Sequence, residues 1–266
     1  MAVKLIAVDM DGTFLNDQKE YDRKRFAKAF QKMEEKGIRF VVASGNQYFQ
    51  LRSFFPEYDE RISFVSENGA NIILGRSSFY HGQMEPGLVQ QVLQVIEKLE
   101  PKNLILCGKN SAYVSEDISP ETLALSKIYY PEIQKVADFN EIEDTLFKIA
   151  LSFETEAVTE TLAALEKVLA GRLVPVSSGH GDIDLIIPGI HKANGIKLLQ
   201  KEWGIADEEV AAFGDSGNDY EMIVHAHHSF AMENGSPVIR EAAKTIIGNN
   251  NTDTVLATIE KLIDLE

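Results

Sequence analysis

KLIAVDMDGT, residues 4–13, is a near-continuous apolar run that closes on two carboxylates and a glycine. A run without alternation reads as a central strand covered on both faces. Side chains alternate along a strand, so Asp9 and Asp11 project toward the same side at its carboxyl end. In open α/β sheets, ligands bind in the crevice outside those ends. Two carboxylates this close raise one another's pKa unless a cation sits between them. A hard oxygen site with few ligands suits Mg²⁺ better than Zn²⁺. Taken by itself, the stretch is equally explained as an acidic turn ending a strand.

The same grammar continues outward on both sides. A helix is expected at about 20–36, with Phe26, Phe30 and Met33 at helical spacing and Gly37 as its stop. RFVVASG (39–45) reads as a second buried strand, and SFVSENGA (63–70) begins with a third. Near the other end, a helix at about 193–202 precedes the strands EVAAFGD (209–215), HSFAM (228–232) and KTIIG (244–248). Thr252 is expected to cap a last helix that turns Val255, Ile259 and Leu262 inward. The middle differs. A helix (87–99), a hairpin around Gly108–Asn110, the strand FKIALSFE (147–154), a helix (156–170) and two strands in RLVPVSSGHGDIDLIIPG form an α+β pattern. The expected architecture is therefore α/β, a Rossmann-like doubly wound parallel-sheet core of residues 1–83 and 188–266. An inserted α+β domain of residues 84–187 interrupts it.

Three further clusters carry chemistry. Gly214-Asp215-Ser216-Gly217-Asn218-Asp219 follows a strand, and its amides would open a helix whose N–H groups favour an anion. Ser44-Gly45-Asn46 offers a hydroxyl and exposed amides at a strand-to-helix turn, a natural phosphate cradle. Lys192, just before a helix, can offset phosphate charge. Alone, each has a plain reading as a Gly-rich loop, an N-cap or a surface cation.

The four clusters together resemble the motifs of the haloacid dehalogenase superfamily of phosphatases, in particular the Cof-type (subfamily IIB) sugar-phosphatase branch with its large cap. Asp9-Met10-Asp11-Gly12-Thr13 matches the first motif, Ser44-Gly45 the second, Lys192 the third and Gly214–Asp219 the fourth. The resemblance implies a Mg²⁺-dependent phosphatase acting on a small phosphorylated metabolite, with sugar phosphates foremost. It implies Asp9 as nucleophile forming an aspartyl-phosphate, and Asp11 as general acid and then general base. Mg²⁺ would be bound by the Asp9 and Asp215 carboxylates and the Asp11 carbonyl, with Asp219 supporting from behind. Ser44, Gly45, Lys192, Asn218 and the Met10 amide would hold the phosphoryl group. Core–cap hinges are expected near 82–87 and 187–191. Asn46 departs from the pattern, because many relatives carry Arg there and an amide cannot replace a guanidinium fork.

Glu67 and Asn68 read as candidates for the pocket rim, and His180, in a Gly-His-Gly turn of the cap, as a residue that could face the pocket. His225, His227 and His228 lack the spacing of a helical metal pair and read as a solvated loop, and Trp203 as packing. Two rival functions share these residues: a sugar phosphomutase, and a phosphorylation-responsive receiver module, normally about half this length and without Asp-x-Asp.

Composition narrows the partners. Of 266 residues, 26 are basic and 41 acidic, a net charge of −15 that repels a nucleic-acid backbone. Cys107 is the single cysteine, so an intrachain disulfide and a Cys-rich zinc cluster are both ruled out. The first apolar run is too short for a signal peptide, and no stretch reaches the roughly 18–20 apolar residues of a membrane span. A cytoplasmic protein is expected.

Overall fold

The computed structural model describes residues 2–179 and 181–264. His180, expected near the pocket, lies outside the described residues.

Among the described residues, one sheet has eight strands and a second has six. The first is built around β1 (Leu5–Val8), which is fully buried. It pairs in parallel with β2 (Arg39–Ala43), which in turn pairs in parallel with β3 (Ser63–Ser66). Two antiparallel strands, β4 (Asn71–Leu74) and β5 (Ser77–His81), extend that edge.

The second sheet consists of β6 (Asn103–Gly108), β7 (Ala112–Ser115), β8 (Ile133–Val136), β9 (Leu146–Ser152), β10 (Val174–Gly179) and β11 (Asp182–Ile186). Its spatial order is β10-β11-β9-β6-β7-β8, antiparallel except for β7 beside β8. The chain then returns to the first sheet. There β12 (Val210–Gly214) lies parallel to the other side of β1, followed outward by β13 (His228–Met232) and β14 (Thr245–Ile247).

Strand alternation explains how helices cover both faces of the first sheet. Ile6 and Val8 belong to a core with Phe26, Phe30 and Met33 of α1 (Arg23–Glu35). Leu5 and Ala7 belong to a separate core on the opposite face, with Ile196 and Leu199. Asp22 caps α1 by accepting from the Arg25 amide, and Gly37 follows its end at a φ of 70°. A short helix, α2 (Tyr48–Ser53), follows β2.

In the second sheet, α3 (Pro86–Ile96) and α5 (Val158–Leu169) cover one face, with Val92, Ile96, Leu165 and Leu169 packed on Leu106, Ile149 and Leu185. The other face carries α4 (Pro120–Tyr129) at one end and is otherwise open to the first sheet. Of α4 only Ser126 is buried, while Leu125 and Ile128 are exposed. So weak a periodicity leaves no sequence signal for this helix.

The returning segment supplies α6 (Lys192–Trp203), α7 (Tyr220–His225), α8 (Pro237–Ala242) and α9 (Thr254–Asp264). Thr252 does not cap α9. Its hydroxyl donates back to the Asn249 carbonyl at 2.8 Å, and Asp253, at a φ of 48°, separates it from the helix. The two chain crossings between the sheets run side by side: a Cβ at Gly82 would lie 2.6 Å from Ile190 and 3.3 Å from Ile187.

Candidate active site

Parallel strands end at a common edge, so the loops after β1, β2, β3 and β12 meet. The loop after β1 places Asp9, and the loop after β12 places Asp215, Asn218 and Asp219, all buried. Lys192 arrives with the first turn of α6, whose N-cap is His191, its Nδ1 accepting from the Asn194 amide.

Lys192 sits at the centre. Its Nζ donates to Asp9 Oδ1 and to Asp219 Oδ1, each at 2.6 Å. Burial opposes its charge, but the facing Asp219 and Asp9 outweigh that and hold the ammonium above its ordinary range. The second oxygen of Asp219 accepts from the Asp215 amide at 2.9 Å and the Ser216 amide at 3.0 Å. Both oxygens of Asp219 are thus engaged, and it braces the loop. Asp215 receives the hydroxyls of Thr13 and Ser216, each at 2.9 Å.

Charge is unbalanced here. Burial raises the Asp9 pKa well above its usual value; Lys192 pulls it back, while Asp219 and Asp215 push it further up. Asp215 is pushed up to about 6, by burial first and then by Asp219. Asp9, Asp215 and Asp219 each offer an oxygen within 4.8 Å of the others, and Lys192 donates to two of them, Asp9 and Asp219. An all-oxygen set short of positive charge fits a hard divalent cation. Asp219 is engaged by two backbone amides and Lys192, Asp215 by two hydroxyls, and Asp9 by Lys192 through one oxygen. Gly12 belongs to the same arrangement. Its φ is 77°, and a Cβ there would lie 2.7 Å from Asp215 Oδ2.

Asp11 stands in front of this cluster, half-buried. Lys19 Nζ and Asn46 Nδ2 each reach one of its oxygens at 2.5 Å. The position that departs from the family pattern therefore contacts the Asp11 carboxylate. Ser44 is buried, and its Oγ accepts from the Asn46 amide at 3.1 Å. Met10 turns its side chain into the core, and its carbonyl accepts from Thr13 and Leu15. The structure thus gathers Asp9, Asp11, Ser44, Gly45, Lys192, Asp215, Asn218 and Asp219 at one edge. Glu67 and Asn68 are not on a rim: both are buried beneath the floor, each 1% exposed.

Asp9, Asp11, Ser44 and Asn218 line a cleft of about 480 Å³ whose opposite wall is the open face of the second sheet. That wall presents Asn103, Lys148, Ser152, Asp182 and Asp184, with Tyr129 and Tyr130 beside them. Sequence reasoning missed this wall. Its signal was the alternation in FKIALS and DIDLI, where Lys148, Ala150, Ser152, Asp182 and Asp184 fall on one face and the aliphatic residues on the other. His225 and His228 do not lie in a solvated loop: His225 ends α7, half-buried, with Nε2 2.7 Å from Gln200 Oε1, and His228 opens β13.

Residues 6–259 match the haloacid dehalogenase-like hydrolases. Over 266 residues the chain is 45% identical to a 5-amino-6-(5-phospho-D-ribitylamino)uracil phosphatase of Escherichia coli (strain K12), covering 100% of this chain and 98% of that one. The crystal structure of SMU.1108c from Streptococcus mutans UA159 superposes with a TM-score of 0.94 at 35% identity, covering 99% of this chain and 100% of that one. A sugar phosphatase of haloacid dehalogenase subclass IIB, BT4131, superposes with a TM-score of 0.81 at 19% identity, covering 97% and 98%, and that likeness speaks to the fold.

Proposed function

The chain belongs to the haloacid dehalogenase-like hydrolases and is a phosphatase, and from that premise we propose that it hydrolyses small sugar and sugar-alcohol phosphates with Mg²⁺, through an aspartyl-phosphate on Asp9. The observation that carries this reading is the convergence of Asp9, Asp215 and Lys192 at the foot of a cleft whose far wall is polar.

In the first step the Asp9 carboxylate attacks phosphorus, and the bond from phosphorus to the leaving oxygen breaks. That oxygen takes its proton from Asp11. In the second, Asp11 removes a proton from water, whose oxygen attacks phosphorus. The bond to Asp9 breaks, and inorganic phosphate leaves. Lys192, the Ser44 hydroxyl and the amides of Gly45 and Met10 offset the phosphoryl charge, and the Asn218 side chain adds a donor. Asp9, Asp215 and the Asp11 carbonyl would hold Mg²⁺, which when bound supplies charge stabilisation for the phosphoryl group. Residues 84–187 act as a cap that excludes water and meets the leaving group, with hinges at 82–87 and 187–191.

The leaving group meets Asn103, Ser152, Asp182 and the tyrosines. Hydroxyl, amide and carboxylate groups suit a polyhydroxyl chain, and Tyr129 and Tyr130 offer flat apolar surface for a ring. The compound for which the Escherichia coli relative is named, a phosphorylated ribityl chain on a uracil, has both parts and is the first to test.

The test is phosphate release from that compound and a panel of sugar phosphates, with Mg²⁺ and with EDTA. Mg²⁺-dependent release from a subset is expected. Phosphate appearing on a second sugar hydroxyl instead would replace hydrolysis by transfer, and no release from folded protein would overturn the reading.

A further inference from the structure

Lys148 is a fully buried cation that the proposed chemistry does not use. It lies on β9 and projects from the face opposite α3 and α5, across the cleft. Its Nζ donates to the carbonyl of Gly45 at 2.7 Å and to Asp184 Oδ1 at 3.0 Å, and lies 3.6 Å from Glu67 Oε2. Asp184, on β11 of the same sheet, accepts from Asn68 Nδ2 at 2.6 Å, and Asn68 Oδ1 accepts from Asn218 Nδ2 at 3.0 Å. Two charged residues of the second sheet thus grip two loops of the first, after β2 and β3, and reach a third, after β12, through Asn68.

Two features show that the core loops are shaped to receive this grip. Gly45 has no positive φ to explain its glycine. A Cβ there would lie 3.1 Å from Asp184 Oδ2 and 3.2 Å from Asn68 Oδ1, so the missing side chain makes room for the approach. Glu67 and Asn68 both hold left-handed backbone, at φ of 51° and 55°, which non-glycine residues adopt at a cost. That conformation lets the Asn68 amide donate to the Ser44 carbonyl at 3.0 Å while its side chain reaches Asp184. The peptide that Lys148 holds lies between Ser44 and Asn46, in the loop that receives the phosphoryl group.

We propose that Lys148 is a positioning residue: from the second sheet it fixes the Gly45 peptide, and with Asp184 it aligns Asn68 and Asn218, so the phosphate site is complete only when that sheet is seated on the core. A buried lysine without partners is costly, so separating the sheets would leave Lys148 with Asp184 alone and free the Gly45 carbonyl. The inference rests on reading Ser44–Gly45 as the phosphate loop.

The experiment replaces the ion pair by neutral groups of similar size, Lys148→Met with Asp184→Asn. This avoids the unpaired Asp184 charge that Lys148→Met alone would leave; that single variant is made alongside. Melting temperature, competitive inhibition by inorganic phosphate and kcat/KM on an aryl phosphate are measured for the double variant, the wild type and Asp9→Asn. A misplaced phosphate loop predicts phosphate inhibition weaker by about tenfold and kcat/KM lower by about a hundredfold in folded protein. A merely structural pair would move only the melting temperature. Phosphate inhibition and kcat/KM within about twofold of wild type would overturn the inference while leaving phosphatase chemistry intact. Loss of the phosphatase reading looks different: the wild type itself releases no phosphate, or Asp9→Asn turns over like wild type.

Discussion

Asp9 is buried with two other carboxylates and a lysine, and its pKa stands well above the usual value. An amide at this position keeps the shape, removes the charge and removes the proposed nucleophile. Asp9→Asn is expected to lower phosphate release by about 10³-fold or more, without lowering the melting temperature, because Lys192 retains Asp219. Glu67 gives a prediction of opposite kind, about stability and pH. Its carboxyl is pushed from 4.5 up to about 7, by burial first, against the attraction of Lys148. Its Oε2 has no hydrogen-bond partner. Between those two values the folded chain holds a proton that the unfolded chain has lost. The stability present below 4.5 is therefore lost as pH rises through 7. Glu67→Gln removes that loss, so it should stabilise the protein at pH 8 by about 3 kcal/mol at most and hardly at pH 5. Denaturant melts at the two pH values check it, and an equal effect at both would count against a titrating Glu67.

At the scale of elements, α6 shows why a helix is placed where it is. It ends on Gly204 in left-handed backbone and starts on Lys192. Gly195 inside it has no capping duty. A Cβ there would lie 2.4 Å from Val65 Cγ1, so the glycine lets the helix lie close on β3. Gly195→Ala should raise helix propensity yet destabilise the fold by about 1–3 kcal/mol through overpacking. It should also displace Lys192, so that activity falls in protein that remains folded. A gain in melting temperature with full activity would show that β3 yields freely. The strands of the second sheet make the complementary point. In β9 and β11 aliphatic residues alternate with Lys148, Ser152, Asp182 and Asp184, one set facing helices and the other the cleft.

For the whole molecule, charge is the governing quantity. A chain of −15 must attract a phosphate dianion to an edge already holding buried carboxylates. A divalent cation between Asp9 and Asp215 would relieve their repulsion and reverse the local field. Adding Mg²⁺ at neutral pH should therefore raise the melting temperature, as a ligand of the folded state does. EDTA should abolish both that rise and turnover, and Asp215→Asn should weaken both responses. An unchanged melting temperature across millimolar Mg²⁺ would argue against this cluster as the metal site. Among the described residues no helix is long and apolar enough to cross a membrane.

The sequence by itself determined the α/β class, the central strand before Asp9, the main flanking parallel strands and the four residue clusters that meet at their ends. These were legible because they are local. Apolar runs, periodicity and motif spacing need no knowledge of distant contacts. It did not reveal α4, which buries almost none of its side chains, or β4 and β5, short antiparallel additions at an edge. Thr252 looked like a cap because a hydroxyl before a helical pattern usually is one; the backbone turned at Asp253 instead. Only the tertiary structure decided that Asn46 meets Asp11, that Glu67 and Asn68 lie under the floor, and that Lys148 holds Gly45 from 103 positions away. Those contacts depend on where two separately formed sheets come to rest against each other, which depends on the shape and charge of both faces together.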